Sequence, residues 1–457
     1  MRSEIRAVHF VGIGGSGMSA IAKVLLEKGY RISGSDVTTT DTTYKLEKMG
    51  ATVYQGHHAN NVKGVDAVVV SSAIAETNAE LLAAQALRIP IYHRADMIAG
   101  LMEKQKGIAV AGAHGKTTTT SMISLMLEKL GTDPTIIIGG ELHDIGGNAK
   151  LGSGEYLVAE ADESDGSFLK LAPKIAVVTN IEDDHMDFYG TIENIVDAFK
   201  QFLQQLTEGS LAVLCADNEY VRTLAAELDN PFVTYALNYQ ADYTIKNIRT
   251  QGVQSLFDVY YQGEFLGEME LNVPGEHNIA NSLAAIAVGR YIGFTLEQIR
   301  GALQCFSGAK RRFQTKGEID GIWVVDDYAH HPTEIRSTLM AAQQTKPKRL
   351  IAVFQPHRFT RTKLLREEFG KAFSGADVIV LTDVYAAGEQ PIPGINGALL
   401  AQEVEQQEGR SVIYIEGRED IPDYLYSIAQ DGDLIITMGA GNIWQAGELL
   451  VEKLRLR

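Results

Sequence analysis

The stretch Ile108-Ala109-Val110-Ala111-Gly112-Ala113-His114-Gly115-Lys116-Thr117-Thr118-Thr119-Thr120 decides how this chain reads. Its apolar start, Ile108–Val110, is a short buried strand. Behind it Met122, Ile123, Met126, Leu127 and Leu130 recur at helical spacing, and Gly131 is a natural helix stop. A strand, a glycine loop and a helix in that order make a phosphate-binding loop. The full pattern has a further glycine where Val110 stands, so this loop is a shortened variant. The physics survives the shortening. Consecutive backbone N–H groups at a helix start cradle phosphate oxygens. Lys116 reaches the β- and γ-phosphates and Thr117 offers its hydroxyl to Mg²⁺. An ATP-using enzyme is expected.

Working outward, the flanks repeat the same alternation. Upstream, Ala7–Ile13 is an apolar run that ends in glycines. Strands are expected at Arg31–Ser33, Thr52–Tyr54, Ala67–Val70 and Pro90–His93, with helices at Tyr44–Met49 and Asn78–Arg88. Thr38–Thr43 reads as a polar loop. Alternating β and α elements imply a parallel, doubly wound sheet. Downstream, strands are expected at Tyr156–Ala159 and Ile175–Thr179. The segment Ala241–Val273 differs, because its short alternating runs around Gln262-Gly263 suggest antiparallel hairpins. Helices follow at His277–Arg290 and Leu296–Gln304. A third α/β unit starts near Phe313, with strands at Trp323–Val325, Leu350–Phe354, Val378–Thr382, Val412–Ile415 and Leu434–Met438.

The bulk numbers fit. The 457 residues suggest about three domains. With 45% hydrophobic and 22% charged residues the balance is that of a globular protein. A formal net charge of −17 argues against nucleic acid or an anionic membrane as partner. Only Cys215 and Cys305 are present, which points to a reducing compartment. The N-terminal apolar run is too short and too glycine-rich for a signal peptide, and no stretch reaches membrane-span length. A cytoplasmic location is expected.

Seven further segments carry chemistry. Gly12-Ile13-Gly14-Gly15-Ser16-Gly17 matches G-x-G-x-x-G between a strand and a helix, with Asp36 placed after the next strand to meet a ribose hydroxyl. NAD, FAD and UDP-sugars all present a suitable pyrophosphate. Glu160–Asp165 (EADESD) follows a strand, where a magnesium carboxylate belongs, and spacing alone does not choose among Glu160, Asp162, Glu163 and Asp165. Thr179–Asp187 (TNIEDDHMD) joins acids to one histidine. Pro274–Asn281 (PGEHNIAN) enters a helix, and its amides suit either a base edge or helix capping. Lys310–Phe313 (KRRF) places cations at a hinge, where one can close onto a γ-phosphate. Asp326–Pro332 (DDYAHHP) and Gln355–Arg361 (QPHRFTR) both stand at strand ends, where ligands bind, and Arg358 and Arg361 suit a carboxylate clamp.

The order of these motifs from Val8 to about Asn442 resembles the Mur ligases of peptidoglycan synthesis. GxxGKT, HMD and HNxxN resemble the family core. GIGGSGM, DDYAHHPTE and PHRFTR resemble the alanine-adding members. The resemblance implies three α/β domains: a Rossmann-like UDP-sugar domain over 1–105, a P-loop-type ATPase domain with a small antiparallel part over 106–312, and a Rossmann-like domain over 313–457 that closes and binds the amino acid. It implies ATP-dependent joining of L-alanine to the lactyl carboxylate of UDP-N-acetylmuramate through an acyl phosphate, by a monomer or weak homodimer, with Mg²⁺ or Mn²⁺. Gly12, Gly14, Gly15, Ser16, Gly17, Met18, Ser35, Asp36 and Ser72 would hold the UDP-sugar. Gly112, Ala113, His114, Gly115, Lys116, Thr117, Thr118, His277, Asn278, Asn281, Arg312 and Asp327 would hold ATP. Thr117, Glu160 and His185 would hold metal, with Lys116, Glu160, His185 and Arg312 catalytic. Tyr328, His330, Arg358 and Arg361 would line the amino-acid site. Lys200 invites assignment as the carbamylated lysine of some relatives, but the alanine-adding members do not use one, and it reads as a helix-surface residue. A nicotinamide dehydrogenase built on Gly12–Asp36 leaves GAHGKT unexplained. The ligase that attaches a whole tripeptide to the same sugar is the nearest competitor.

Overall fold

The computed structural model describes residues 5–457, apart from the side chains of His143 and Asp187. The chain divides into two compact units. The first comprises Met1–Lys246, Asp258–Glu268 and Ala280–Cys305, and the second Asn247–Phe257, Met269–Ile279 and Phe306–Arg457. Among the described residues no helix is long and apolar enough to cross a membrane.

The first unit opens with a five-stranded sheet. β1 (Ala7–Val11), β2 (Arg31–Asp36), β3 (Thr52–Gln55), β4 (Ala67–Val70) and β5 (Ile91–His93) lie in the order β3-β2-β1-β4-β5, all parallel. β1 is fully buried because it has neighbours on both sides and helices on both faces. The chain turns to opposite sides after β1, so the loop that leaves its carboxyl end sits at the switch point where ligands bind. That loop, Gly12–Gly15, feeds α1 (Ser16–Glu27). α2 (Asp41–Lys48) starts earlier than its apolar spacing suggests. Thr40 caps it reciprocally with Thr43, which draws the TTTDTT segment into a helix start. α3 (Ala79–Ala86) and α4 (Arg94–Met102) complete this part, and α4 was not legible in the sequence.

A buried polar network ties α3 to this sheet. Glu80 is fully buried and accepts hydrogen bonds from Ser35 Oγ (2.5 Å), Asn61 Nδ2 (2.6 Å) and the His58 N–H (3.3 Å). His9 Nε2 lies 3.6 Å from Glu80 Oε1. Burial alone would raise the Glu80 carboxyl, but the nearby His9 ring and hydrogen bonds from Ser35 and Asn61 outweigh it and hold it down at about 2, from an ordinary 4.5. A carboxyl depressed in the folded state stabilises fully above 4.5 and loses that contribution as pH falls through 2. We expect Glu80→Gln to cost ~1–3 kcal/mol at neutral pH. Thermal melts from pH 5 down to pH 3 should fall less steeply for this variant than for the native chain.

The central sheet carries the phosphate loop. β6 (Lys106–Ala111) leads into α5 (Lys116–Lys129). β7 (Thr135–Leu142), β8 (Gly147–Lys150), β9 (Tyr156–Glu160), β10 (Ile175–Val178), β11 (Leu211–Cys215) and β12 (Phe232–Tyr235) complete the run β12-β11-β10-β6-β9-β7-β8. β6 is therefore central, flanked in parallel by β9 and β10, whose carboxyl ends carry the two acidic segments. Helices α6 (Met186–Tyr189), α7 (Ile192–Gln204) and α8 (Glu219–Ala226) follow β10 and β11. Lys200 on α7 pairs with Glu227 at 2.6 Å on the surface, as a helix-surface lysine does. β13 (Tyr243–Gln251), β14 (Gln254–Tyr261) and β15 (Glu264–Leu271) occupy the segment expected to form hairpins. The loop Gln262-Gly263 has positive φ at both residues, 50° and 86°, the geometry of a two-residue hairpin. α9 (Glu276–Ile292) and α10 (Leu296–Leu303) come next.

The second unit holds a six-stranded sheet. β16 (Gln314–Ile319), β17 (Ile322–Asp327), β18 (Arg349–Phe354), β19 (Val378–Leu381), β20 (Ile413–Tyr414) and β21 (Asp433–Met438) lie in the order β16-β17-β21-β18-β19-β20. It is not wholly parallel, because the unexpected edge strand β16 runs antiparallel to β17. Its sequence, QTKGEI, is too polar to announce a strand, as suits an edge that faces water. α11 (Pro332–Gln344) follows β17, and α12 (Phe359–Leu364) follows β18.

Candidate active site

The loop between β6 and α5 is built by steric necessity. Gly112 has φ 136°, and a Cβ there would lie 2.0 Å from Thr179 Oγ1. Gly115 has φ 82°, and a Cβ there would lie 2.7 Å from Asn281 Oδ1. The loop is then pinned from β10's end. The Ala113 N–H donates to Asn180 O (3.1 Å) and the His114 N–H to Asn180 Oδ1 (2.7 Å). Thr179 Oγ1 and Asn180 Nδ2 both donate to His114 O, at 2.6 and 3.0 Å. His114 Nε2 lies 3.3 Å from Glu182. Thr179 and Asn180 thus shape the loop, a role that spacing gave no sign of. Asn281, expected at a base, also braces the loop, its Oδ1 accepting from Thr119 Oγ1 at 3.1 Å. Thr118 is buried.

Lys116 folds back over this loop. Its Nζ donates to Gly112 O (2.5 Å), Ala113 O (3.1 Å) and Glu163 Oε1 (2.8 Å). Burial would depress the ammonium, but Glu163, Asp162 and Glu160 more than offset that and hold its pKa above the ordinary value. His185 Nε2 stands 3.7 Å from the same Glu163 oxygen. His185 has φ 58°, which turns its ring at the start of α6. Within EADESD, Glu163 lies against both Lys116 and His185. Its other oxygen, Oε2, is buried without a hydrogen-bond partner among the described residues.

Glu160 ends β9 on the neighbouring strand. Gly139 and Gly140 of β7 make room for it and for Thr117: a Cβ at Gly139 would lie 2.4 Å from Glu160 Oε2, and one at Gly140 2.9 Å from Thr117 Cγ2. Hydroxyl, carboxylate and imidazole donors, with a buried unpartnered carboxylate oxygen beside them, fit a hard divalent cation. Thr117, Glu160 and His185 are the residues that would hold it.

The upstream loop is likewise internally braced. The Gly12 and Ile13 N–H groups both donate to Ser35 O, at 2.8 and 3.0 Å. The Gly14 N–H donates to Asp36 Oδ2 at 2.9 Å, so Asp36 shapes the loop with the oxygen that was expected on a ribose. A Cβ at Gly14 would lie 2.8 Å from that oxygen. Gly15 caps α1, and Ser16 and Gly17 form its first turn. Met18 is buried in the core and offers a ligand only its backbone. Ser35 points its hydroxyl inward at Glu80, and Ser72 Oγ donates to Asp165 Oδ2 at 2.5 Å.

In the second unit the strand ends gather a cationic, aromatic cluster. Arg311 is committed to the fold, donating to Asp326 (3.0 Å), Gly441 O (3.0 Å) and Gly439 O (2.5 Å). Arg312 lies over the Tyr328 ring at 5.3 Å, with Nη1 3.6 Å from Glu334 Oε1. Asp327 accepts from the N–H groups of Phe313 (2.7 Å) and Ala329 (2.8 Å), and burial pushes its carboxyl up to about 6 against the pull of Arg312. Burial and nearby Arg312 hold His277 down at about 4, so its ring is neutral at physiological pH. Asn278 Nδ2 donates to Pro274 O at 2.7 Å, a capping role. His330 packs edge-on to Tyr328 and to His357, and His357 stacks on Tyr385. Arg361 meets His357 Nδ1 at 3.3 Å. Arg358 is half-buried and gives its side chain to no acceptor among the described residues. Glu334, His357 and Tyr385 join this cluster without having been singled out, although Glu334 and His357 stood inside quoted motifs.

A glycine loop with a buried lysine and a second glycine loop at a switch point are the marks of a nucleotide-dependent enzyme. Three family models match in series: the Mur ligase family catalytic domain over 7–106, the Mur ligase middle domain over 110–289, and the Mur ligase glutamate ligase domain over 311–441. The chain belongs to the Mur ligase family. It is 56% identical to a UDP-N-acetylmuramate–L-alanine ligase of Pelotomaculum thermopropionicum, over 98% of each chain. It is 52% identical to the enzyme of that name from Desulforamulus reducens, over 99% of each. The crystal structure of the UDP-N-acetylmuramate–alanine ligase of Thermotoga maritima superposes with a TM-score of 0.85 at 30% identity, covering 98% of this chain and 99% of that one.

Proposed function

We propose that this chain joins L-alanine to the lactyl carboxylate of UDP-N-acetylmuramate at the expense of ATP, in peptidoglycan precursor synthesis. The observation that carries the reading is the buried Lys116, seated among Glu163, Asp162 and Glu160 in the same unit as the glycine loop after β1. The relatives of that name, alike over almost the whole chain, support it. Two nucleotides are needed by such a reaction, and two glycine loops at strand ends supply places for them.

In this reading Gly12–Gly17 holds the UDP diphosphate and Gly112–Thr118 holds the ATP phosphates. The carboxylate oxygen of the sugar's lactyl group attacks the γ-phosphorus, the bond to the ADP oxygen breaks, and an acyl phosphate and ADP result. The neutral amine of L-alanine then adds to the acyl carbon, inorganic phosphate leaves, and the amine gives up a proton as the amide forms. Lys116 leaves Gly112 O and Ala113 O to stand against the transferring phosphoryl group, where it stabilises the charge spread over the equatorial oxygens. Thr117, Glu160 and His185 would hold a divalent cation, which would supply neutralisation of the phosphate charge. Arg312, Asp327, His277 and Asn278 are assigned to the nucleotide, and Tyr328, His330, Arg358 and Arg361 to the amino acid, whose carboxylate suits an arginine fork.

Phosphate release tests this directly. With ATP, Mg²⁺ and UDP-N-acetylmuramate, release should be slow until L-alanine is added. Release that ignores L-alanine, or that responds to the tripeptide of the recycling enzymes in preference to it, would sink the assignment.

A further inference from the structure

Arg94 opens α4 directly off the carboxyl end of β5, outside every motif singled out above. Its side chain is 19% exposed. Nη2 donates to Asp162 Oδ2 at 2.5 Å and lies 3.7 Å from Asp165 Oδ2. Nη1 points the other way, and a Cβ built on Gly17 would meet it at 3.1 Å. No acceptor among the described residues takes Nη1. One guanidinium therefore touches both the first turn of α1, where a diphosphate would sit, and the acidic loop after β9. That loop is the one that grips Lys116: Asp162 and Asp165 flank Glu163 in sequence, and Glu163 Oε1 holds the lysine at 2.8 Å. The surroundings are tied to the same point. His93 Nε2 lies 3.5 Å from Asp165 Oδ2, and Ser72 Oγ donates to that oxygen.

We propose that Arg94 is a positioning residue that couples the two nucleotide sites, its Nη1 edge taking the UDP-sugar diphosphate beside Gly17 while its Nη2 edge holds Asp162. The inference rests on the proposed substrate. Its logic is geometric. A guanidinium is a planar fork whose edges are rigidly related, so an anion that fixes one edge fixes the other. A UDP-sugar bound at α1 then orders the acidic loop facing Lys116, and ATP meets a loop whose ordering cost is already met. A lysine in this place has the charge but not the second edge.

Calorimetric titration of a non-hydrolysable ATP analogue, AMP-PNP with Mg²⁺, tests this on the full chain. In the native chain, saturating UDP-N-acetylmuramate should tighten AMP-PNP by about 5-fold or more. Arg94→Ala should weaken UDP-N-acetylmuramate and bring the tightening down to about 1-fold. Asp162→Asn leaves Arg94 beside Gly17, so it should keep UDP-N-acetylmuramate affinity and still lose the tightening. Arg94→Lys should keep part of the affinity and none of the tightening. A merely structural arginine would shift the melting temperature and leave the ratio of the two AMP-PNP affinities unchanged. Full tightening in either Arg94→Ala or Asp162→Asn overturns the proposal, as does a native chain that binds both ligands independently. Should Arg94→Ala not fold, Asp162→Asn decides. Failure of the substrate reading is visible separately, as a native chain that gives no heat with UDP-N-acetylmuramate alone.

Discussion

Replacing Lys116 by alanine is expected to cut turnover by ~10³-fold or more while ATP binding falls far less. In the proposed reading the lysine stands against the transferring γ-phosphoryl group, and its charge is held on by three carboxylates. Phosphate transfer builds little new bonding for a protein to assist, so most of the help is charge placed in advance. The substitution also strands Glu163, a buried carboxylate that loses its ion pair. Glu163 answers by taking a proton, so some stability goes with the activity. Lys116→Ala combined with Glu163→Gln should restore the melting temperature without restoring turnover. Phosphate release measured with all co-substrates checks the first part, and near-normal release from Lys116→Ala would remove the lysine from the mechanism.

Arg358→Ala is expected to raise KM for L-alanine by ~10²-fold, with KM for ATP unchanged, as when one partner of a buried charge pair is lost. Arg358 sits at φ 68° and ψ 137°, a backbone conformation that costs a residue with a side chain ~1–3 kcal/mol. The strain aims the guanidinium from the end of β18 without binding it to any described neighbour. Arg358→Gly separates the two effects. It should lose alanine binding as fully as Arg358→Ala and yet melt at a higher temperature. An Arg358→Gly chain that is both less stable and still saturated by ordinary alanine concentrations would contradict the assignment.

Much of this architecture was legible because alternating apolar runs and glycines report parallel α/β units directly. The buried strands β1, β6, β10, β18 and β21 are predominantly apolar, and the loops after β1 and β6 carry the glycines that their backbone angles demand. What escaped the sequence is of another kind. Edge strand β16 is polar, and α4 begins with two charged residues among its first three. That Glu163 meets Lys116 is set by which way a loop turns after β9, and no periodicity encodes that. Asn180 shapes the phosphate loop from 64 positions beyond Lys116, from the end of the adjacent strand β10. Gly139 and Gly140 matter only because two side chains from elsewhere need their missing Cβ atoms. Asp36, Asn278 and Asn281 were expected to touch ligands, and the structure gives each an internal bond to make.

One feature of the phosphate loop bears on selectivity. All three protons of the Lys116 ammonium are already spent, on Gly112 O, Ala113 O and Glu163. An arriving anion therefore displaces formed bonds instead of filling a vacancy. Free orthophosphate offers too few contacts to compensate for that exchange, whereas a triphosphate anchored along the whole loop offers many. The same asymmetry acts at the end of the cycle, when the lysine swings home and the released phosphate faces a competitor built into the protein. In the proposed reading the resting loop would thereby disfavour free orthophosphate and favour release of the product phosphate.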